Sequence, residues 1–92
     1  MNSKLLRIHG KVQGVYYRDN AVAQAGELGV TGWVRNRHDG TVEALVCGAT
    51  EAVEAFINWA HSGPTDARVD KIELTDGSQH GMPLAFERWP TR

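Results

Sequence analysis

Apolar and polar residues alternate along Lys4-Leu5-Leu6-Arg7-Ile8-His9-Gly10, with Leu6 and Ile8 on one side and Arg7 and His9 on the other. That period of two predicts a half-buried strand. From Asp19 to Leu28 the period changes, and Val22, Ala25 and Leu28 fall on one helical stripe that ends at Gly29, a residue suited to a left-handed C-terminal cap. Alternation returns over Val30–Asn36, the turn Arg37-His38-Asp39-Gly40 carries the Asp-Gly signature of a hairpin, and Thr41–Cys47 forms the returning strand, closed by Gly48. A second helix is predicted from Thr50, as N-cap, to about His61, with Val53, Phe56, Ile57 and Ala60 as its apolar face and Gly63-Pro64 as its break. Val69–Thr75 then alternates around Ile72 and Leu74, and Leu84–Trp89 gives a short last strand.

The order is βαββαβ with one strand appended. Helices of such a chain cover one face of the sheet, each strand–helix–strand unit crosses right-handed, and hairpin strands are neighbours. The expected fold is therefore α+β, an antiparallel sheet with two helices on one face, the ferredoxin-like plait, in a single domain over residues 1–92. In that plait the first and second strands run the same way with the third between them. Gly10–Arg18, which follows the first strand, and Asn36, which ends the second, then meet at one end of the sheet, about 10 Å apart at the backbone.

Composition narrows the classes. No apolar run approaches the roughly 20 residues of a membrane span, and Arg7 interrupts what would be a signal peptide's apolar core. A cytoplasmic location is expected. Cys47 has no cysteine partner and reads as a small hydrophobe in a strand; His9, His38, His61 and His80 lack metal-ligand spacing. No metal or other cofactor is expected. Net charge is −1, yet residues 1–38 hold Lys4, Arg7, Lys11, Arg18, Arg35 and Arg37 against Asp19 and Glu27. The imbalance is either a solvated surface or a local field that draws a small anion; nucleic acid would call for a broader basic stripe.

Gly10-Lys11-Val12-Gln13-Gly14-Val15-Tyr16-Tyr17-Arg18 is the segment with chemistry in it. Gly14 permits positive φ, so that successive backbone N–H groups can converge on an anion, with the following helix N-terminus aimed at the same point. Arg18 adds a planar, permanently charged fork suited to phosphate oxygens. An ordinary strand-to-helix turn with a solvated arginine is the alternative. Asn36 is in phase with Val30, Gly32 and Val34, the side expected to meet the helices, where a buried amide needs partners; otherwise it is a turn residue bonding its own backbone.

The run Gly10–Arg18 resembles the first signature of the acylphosphatase family, and Gly32-Trp33-Val34-Arg35-Asn36, with Gly40, Val42 and Gly48 downstream, resembles the second. The resemblance spans essentially the whole chain. It implies metal-independent hydrolysis of a carboxyl phosphate to carboxylate and inorganic phosphate, with Arg18 binding the phosphoryl group and Asn36 orienting the attacking water. The N–H groups of Gln13, Gly14, Val15, Tyr16 and Tyr17, with Arg18, would stabilise charge on the phosphoryl oxygens. An asparagine amide is no base at neutral pH, so the proton goes either to a substrate oxygen or to His38 or Asp39. Tyr17 departs from the phenylalanine more usual in the family, and a buried phenol needs a hydrogen-bond partner.

The partner expected is thus a small acyl phosphate, with phosphate as product, and a monomeric protein that binds neither nucleic acid nor membrane. Two other readings compete: a non-enzymatic anion-sensing or nucleic-acid-binding plait, or a domain serving a partner protein. RNA-binding plaits stack bases on the central strands, whereas Leu5, Arg7, His9, Glu43, Leu45 and Cys47 on the expected open face offer no aromatic platform. Trp33 reads as a single exposed aromatic on that face. The acyl group is not specified by any recognised motif.

Overall fold

Leu6, Ile8, Val34, Val42, Ala44 and Val46 are almost completely buried, and they define the side of the sheet on which both helices lie. The computed structural model describes residues 2–92. Its elements are β1 (Asn2–Lys11), α1 (Tyr17–Leu28), β2 (Thr31–Asn36), β3 (Val42–Gly48), α2 (Thr50–Ser62), β4 (Arg68–Asp76), a 3₁₀ turn (Ser78–His80) and β5 (Phe86–Arg88). The sheet order is β4-β1-β3-β2-β5. β3 pairs antiparallel with both β1 and β2, so these two run the same way on either side of it. This is the expected plait. The last strand extends it: β5 pairs parallel with β2, which makes the five-stranded sheet mixed.

The helices dock by small and aromatic residues. Ala21 and Ala25 of α1 are fully buried, which lets its backbone approach the sheet, while α2 inserts Val53, Phe56 and Ala60. Val22, Leu28 and Ile57 pack at the margin of the same core. Gly29 takes the left-handed conformation at φ 73° and its N–H bonds Ala25 O, as a C-cap should. Thr50, expected as N-cap of α2, is instead its first helical residue; Ala49 is the cap, and no side chain bonds there. The backbone at Ala49 is extended, and that alone sets the boundary.

Two other expectations need correction. The last strand is shorter than Leu84–Trp89 because Leu84 stands 99% exposed, outside the ladder. Trp33 is not an exposed aromatic: it is 4% exposed, stacked on Trp89 with ring centroids 4.5 Å apart and flanked by Leu45 and Cys47. The Arg35 guanidinium lies 4.8 Å from the Trp33 ring centre. The side of the sheet away from the helices therefore has a small core of its own, closed by the C-terminal tail. That tail runs along β2, with Trp89 N–H donating to Val34 O at 2.8 Å and Arg92 N–H to Asn36 O at 3.0 Å. Cys47 is fully buried there, 3.3 Å from Ser3 Oγ.

Gly32 has a specific reason to be glycine. Its φ is +143°, and a Cβ would stand 1.8 Å from Leu45 O on β3. Any side chain would push β2 and β3 apart at the start of β2, the end away from Asn36.

Tyr17, at the start of α1, ties the two helices together. Its ring is 2% exposed and its hydroxyl donates to Ala60 O in α2 at 2.7 Å, which supplies the partner a buried phenol requires. Burial pushes this phenol well above its ordinary value of 10.0. The folded chain therefore keeps the proton at pH values where the unfolded chain has released it. The associated stability is complete below about pH 10 and declines as pH rises beyond it. Tyr17→Phe should lower unfolding free energy by about 1 kcal/mol at pH 7 and should flatten the alkaline decline in stability, both read from urea unfolding at a series of pH values. An alkaline decline as steep in Tyr17→Phe as in the unmodified protein would contradict the assignment.

Candidate active site

The loop between β1 and α1 is pinned by three buried side chains. Val12, Val15 and Tyr17 are buried, while Gly14 and Tyr16 are exposed, so the backbone is anchored at three points. Gly14 has φ 74° and Tyr16 φ 63°, the one non-glycine with positive φ among the described residues. A left-handed tyrosine costs about 1–2 kcal/mol. Its carbonyl is held by Asn20, whose N–H and side-chain Nδ2 both donate to Tyr16 O, at 3.1 and 2.9 Å. Two left-handed residues two positions apart curl the chain, the geometry that turns successive N–H groups inward. Tyr16 is also the N-cap of α1, and no side chain caps that helix. Its first-turn donors are free to meet an anion.

Gln13 joins the loop to the neighbouring turn. Its side-chain amide donates to Arg37 O at 2.7 Å and to Thr41 O at 2.8 Å. These carbonyls flank the β2–β3 turn, so one amide locks the segment after β1 to the segment that follows Asn36. The sequence signalled Gln13 only as a backbone donor in the loop; its side chain is a clamp as well.

Arg18 and Asn36 line one pocket of about 360 Å³, together with Val12, Gly14, Tyr16, Tyr17, Asp19 and Arg88. Arg18 lies in the first turn of α1 and its Nη1 donates to Trp89 O at 3.2 Å, which orients the guanidinium from the C-terminal tail. Partial burial lowers the Arg18 pKa, the Arg88 cation lowers it further, and Asp19 acts in the opposite sense. A guanidinium remains charged through such shifts. Gln13 and Val15 contribute to the loop, though their side chains do not line the pocket.

Of the groups named as proton acceptors, neither faces this space. His38 is exposed in the β2–β3 turn. Asp39 accepts from Thr41 Oγ1 at 2.6 Å and Thr41 N–H at 2.9 Å, and Arg7 Nη1 lies 3.2 Å from it. Those bonds, the Thr41 hydroxyl first, hold its carboxyl below the usual value. Asp19 does line the pocket, bonded to Arg88 Nη1 at 2.6 Å. Arg88 was not legible as a site residue, because nothing short of the β2–β5 pairing brings position 88 beside the start of α1. Among the described residues, no three His, Cys, Asp or Glu side chains are grouped to hold a metal, and no helix is long and apolar enough to cross a membrane.

Comparison with known proteins bears on this arrangement directly. The Acylphosphatase family matches residues 4–87. The chain is 55% identical over 91 residues to an acylphosphatase of Rhodospirillum rubrum, covering 99% of each, and 59% identical over 76 residues to one from Azoarcus sp., covering 83% of this chain and 78% of that one. Its fold superposes on the crystal structure of acylphosphatase from Bacillus subtilis with a TM-score of 0.91 at 29% identity, covering 97% of this chain and 99% of the other. HypF of T. kodakarensis contains a similar fold, with a TM-score of 0.85 at 31% identity, but only 12% of that chain is covered. A cradle, an arginine and an asparagine gathered in one pocket by this fold, together with these matches, mean that the chain belongs to the acylphosphatase family.

Proposed function

We propose that this protein hydrolyses the carboxyl–phosphate bond of small acyl phosphates, with Arg18 and the loop N–H groups of Gln13–Tyr17 holding the phosphoryl group and Asn36 orienting water. The observation that carries this reading is the shared pocket of Arg18, Gly14 and Asn36, drawn from elements distant in sequence. An acyl phosphate is a mixed anhydride with a good leaving group, so positioning and charge stabilisation suffice for most of the rate. Water oxygen forms a bond to phosphorus as the bridging P–O bond breaks, and that electron pair leaves on the carboxylate. Charge on the phosphoryl oxygens is met by Arg18 and by donors already fixed in place, each worth on the order of 10²–10³ in rate.

Asn36 can accept one water hydrogen through Oδ1, but it cannot take the proton away. A phosphoryl oxygen of the substrate is the acceptor in this scheme. The engagement of Asp39 by Thr41 and Arg7, and the absence of His38 from the pocket lining, support that choice. We further take the chain to work as one domain, monomeric and cytoplasmic, with no resident cofactor; a single peak at monomer mass in light scattering is the expected outcome for the oligomeric state.

Phosphate release from acetyl phosphate in the presence of chelator tests the roles. The unmodified protein should turn over, and folded Arg18→Lys and Asn36→Ala variants should each lose on the order of 10² or more in kcat/KM, since lysine keeps the charge but lacks the fork. An inactive unmodified protein that still binds phosphate would favour an anion-binding module instead. The substrate-as-acceptor scheme predicts, in addition, that His38→Gln and Asp19→Asn keep the pH–rate profile of the unmodified protein. Loss of a limb in either would assign the proton to that side chain.

A further inference from the structure

The pocket contains a second cation that the proposed hydrolysis does not use. Arg88 lies on β5 opposite Val34 of β2, and Val34 faces the helices. Its side chain therefore projects to the helix side, beside the first turn of α1, where it meets Asp19. It lines the same pocket as Arg18 and Asn36 but enters from the edge strand β5, which β3 and β2 separate from β1. The phosphoryl group is already served by backbone donors and by Arg18, and the pocket's ~360 Å³ exceeds what a phosphoryl group with an acetyl tail would fill. A carboxylate already sits on Arg88, since Asp19 Oδ1 accepts from Nη1 at 2.6 Å. A guanidinium has five N–H donors, and its half-exposed head leaves the others open to a second acceptor.

We propose that Arg88 is a specificity-determining residue that binds a carboxylate at the far end of the acyl chain, so that acyl phosphates of dicarboxylic acids are preferred to acetyl phosphate. This rests on the reading of the pocket as an acyl-phosphate site. Asp19 fixes the guanidinium from the helix side, and the substrate carboxylate takes the donors that face the pocket. Charge-assisted, forked pairing of this kind is the form of recognition for which arginine is suited. Arg88 leaves the bond-breaking step untouched, and its effect falls on binding.

Two readouts separate this assignment from the hydrolytic reading. The first is calorimetric binding of a ketophosphonate that cannot be hydrolysed, acetonylphosphonate, against its homologue with a terminal carboxylate, to the unmodified protein, Arg88→Gln and Arg88→Lys. The second is phosphate release from acetyl phosphate and succinyl phosphate by the same proteins. Near-ultraviolet dichroism of the Trp33–Trp89 stack reports that β5 stays docked. The unmodified protein should bind the carboxylate-bearing analogue about tenfold more tightly than the plain one. Arg88→Gln should erase that difference, weakening the carboxylate-bearing analogue about tenfold more than the plain one, and Arg88→Lys should restore part of it. Succinyl phosphate should follow the same pattern in KM, with kcat little changed.

No preference in the unmodified protein would overturn the assignment. So would equal weakening of both analogues in Arg88→Gln, which would make Arg88 a ligand of the phosphoryl group. If the analogues are discriminated but neither acyl phosphate is cleaved, the hydrolytic reading fails and the Arg88 assignment stands. Turnover without discrimination is the reverse case.

Discussion

Strand β3 is buried along its whole length, and the geometry of the site depends on its being wedged between β1 and β2. Its antiparallel ladders with both neighbours make β1 and β2 run in the same direction, so the segments that leave them emerge at one end of the sheet. One of those segments is the loop with Gly14 and Tyr16, and the other begins at Asn36. The close approach of Gly32 to Leu45 O sets the spacing on one side. Gln13 then bonds across the gap to the turn after β2, so the loop and the asparagine are held by one hydrogen-bonded bracket.

A second consequence concerns charge. Gathering Arg18 and Arg88 in one pocket sets two cations near each other; partial burial first, and the Arg88 cation second, lower the Arg18 pKa. Asp19 offsets part of this repulsion by pairing with Arg88, and Trp89 O fixes Arg18. The C-terminal tail is therefore part of the pocket's electrostatics as well as its wall. Its position is itself secured on the other side of the sheet, where Trp89 stacks on Trp33. On that side Glu43, nearly buried, lies 2.8 Å from Arg35 and 3.3 Å from Arg37, so the cations of the second strand and its turn are spent on structure. Of the basic residues in 1–38, Arg7, Arg35 and Arg37 thus gather around Glu43 on one face, while Arg18 stands at the pocket on the other.

What the sequence made legible was whatever depends on local period and turn chemistry. Leu6 and Ile8, Phe56 and Ala60, Gly29 and the Asp39-Gly40 turn all stand where alternation, helical spacing and backbone preference put them. The topology followed from the order of those elements, and the meeting of Arg18 with Asn36 followed from the topology. The missing parts are contacts that no local rule encodes. Arg18 and Trp89 are 71 residues apart, and Arg88 and Asp19 are 69 apart. Trp33 was misjudged because its cover comes from a tail whose path along β2 depends on main-chain bonds. Tyr16 in the left-handed region was equally hidden, since nothing in the sequence marks a tyrosine as a second source of curvature beside Gly14.

The central claim is that the β1–α1 loop is a preformed phosphoryl site shared with Asn36. Titration of isotopically labelled protein with inorganic phosphate, followed through backbone and side-chain amide resonances, tests it most directly. The account predicts saturable shifts concentrated in the amides of Gly14 to Arg18 and in the Asn36 side chain, with the remainder of β1, β3 and α2 unmoved. Shifts centred elsewhere, or a loop that reorganises wholesale on binding, would contradict it.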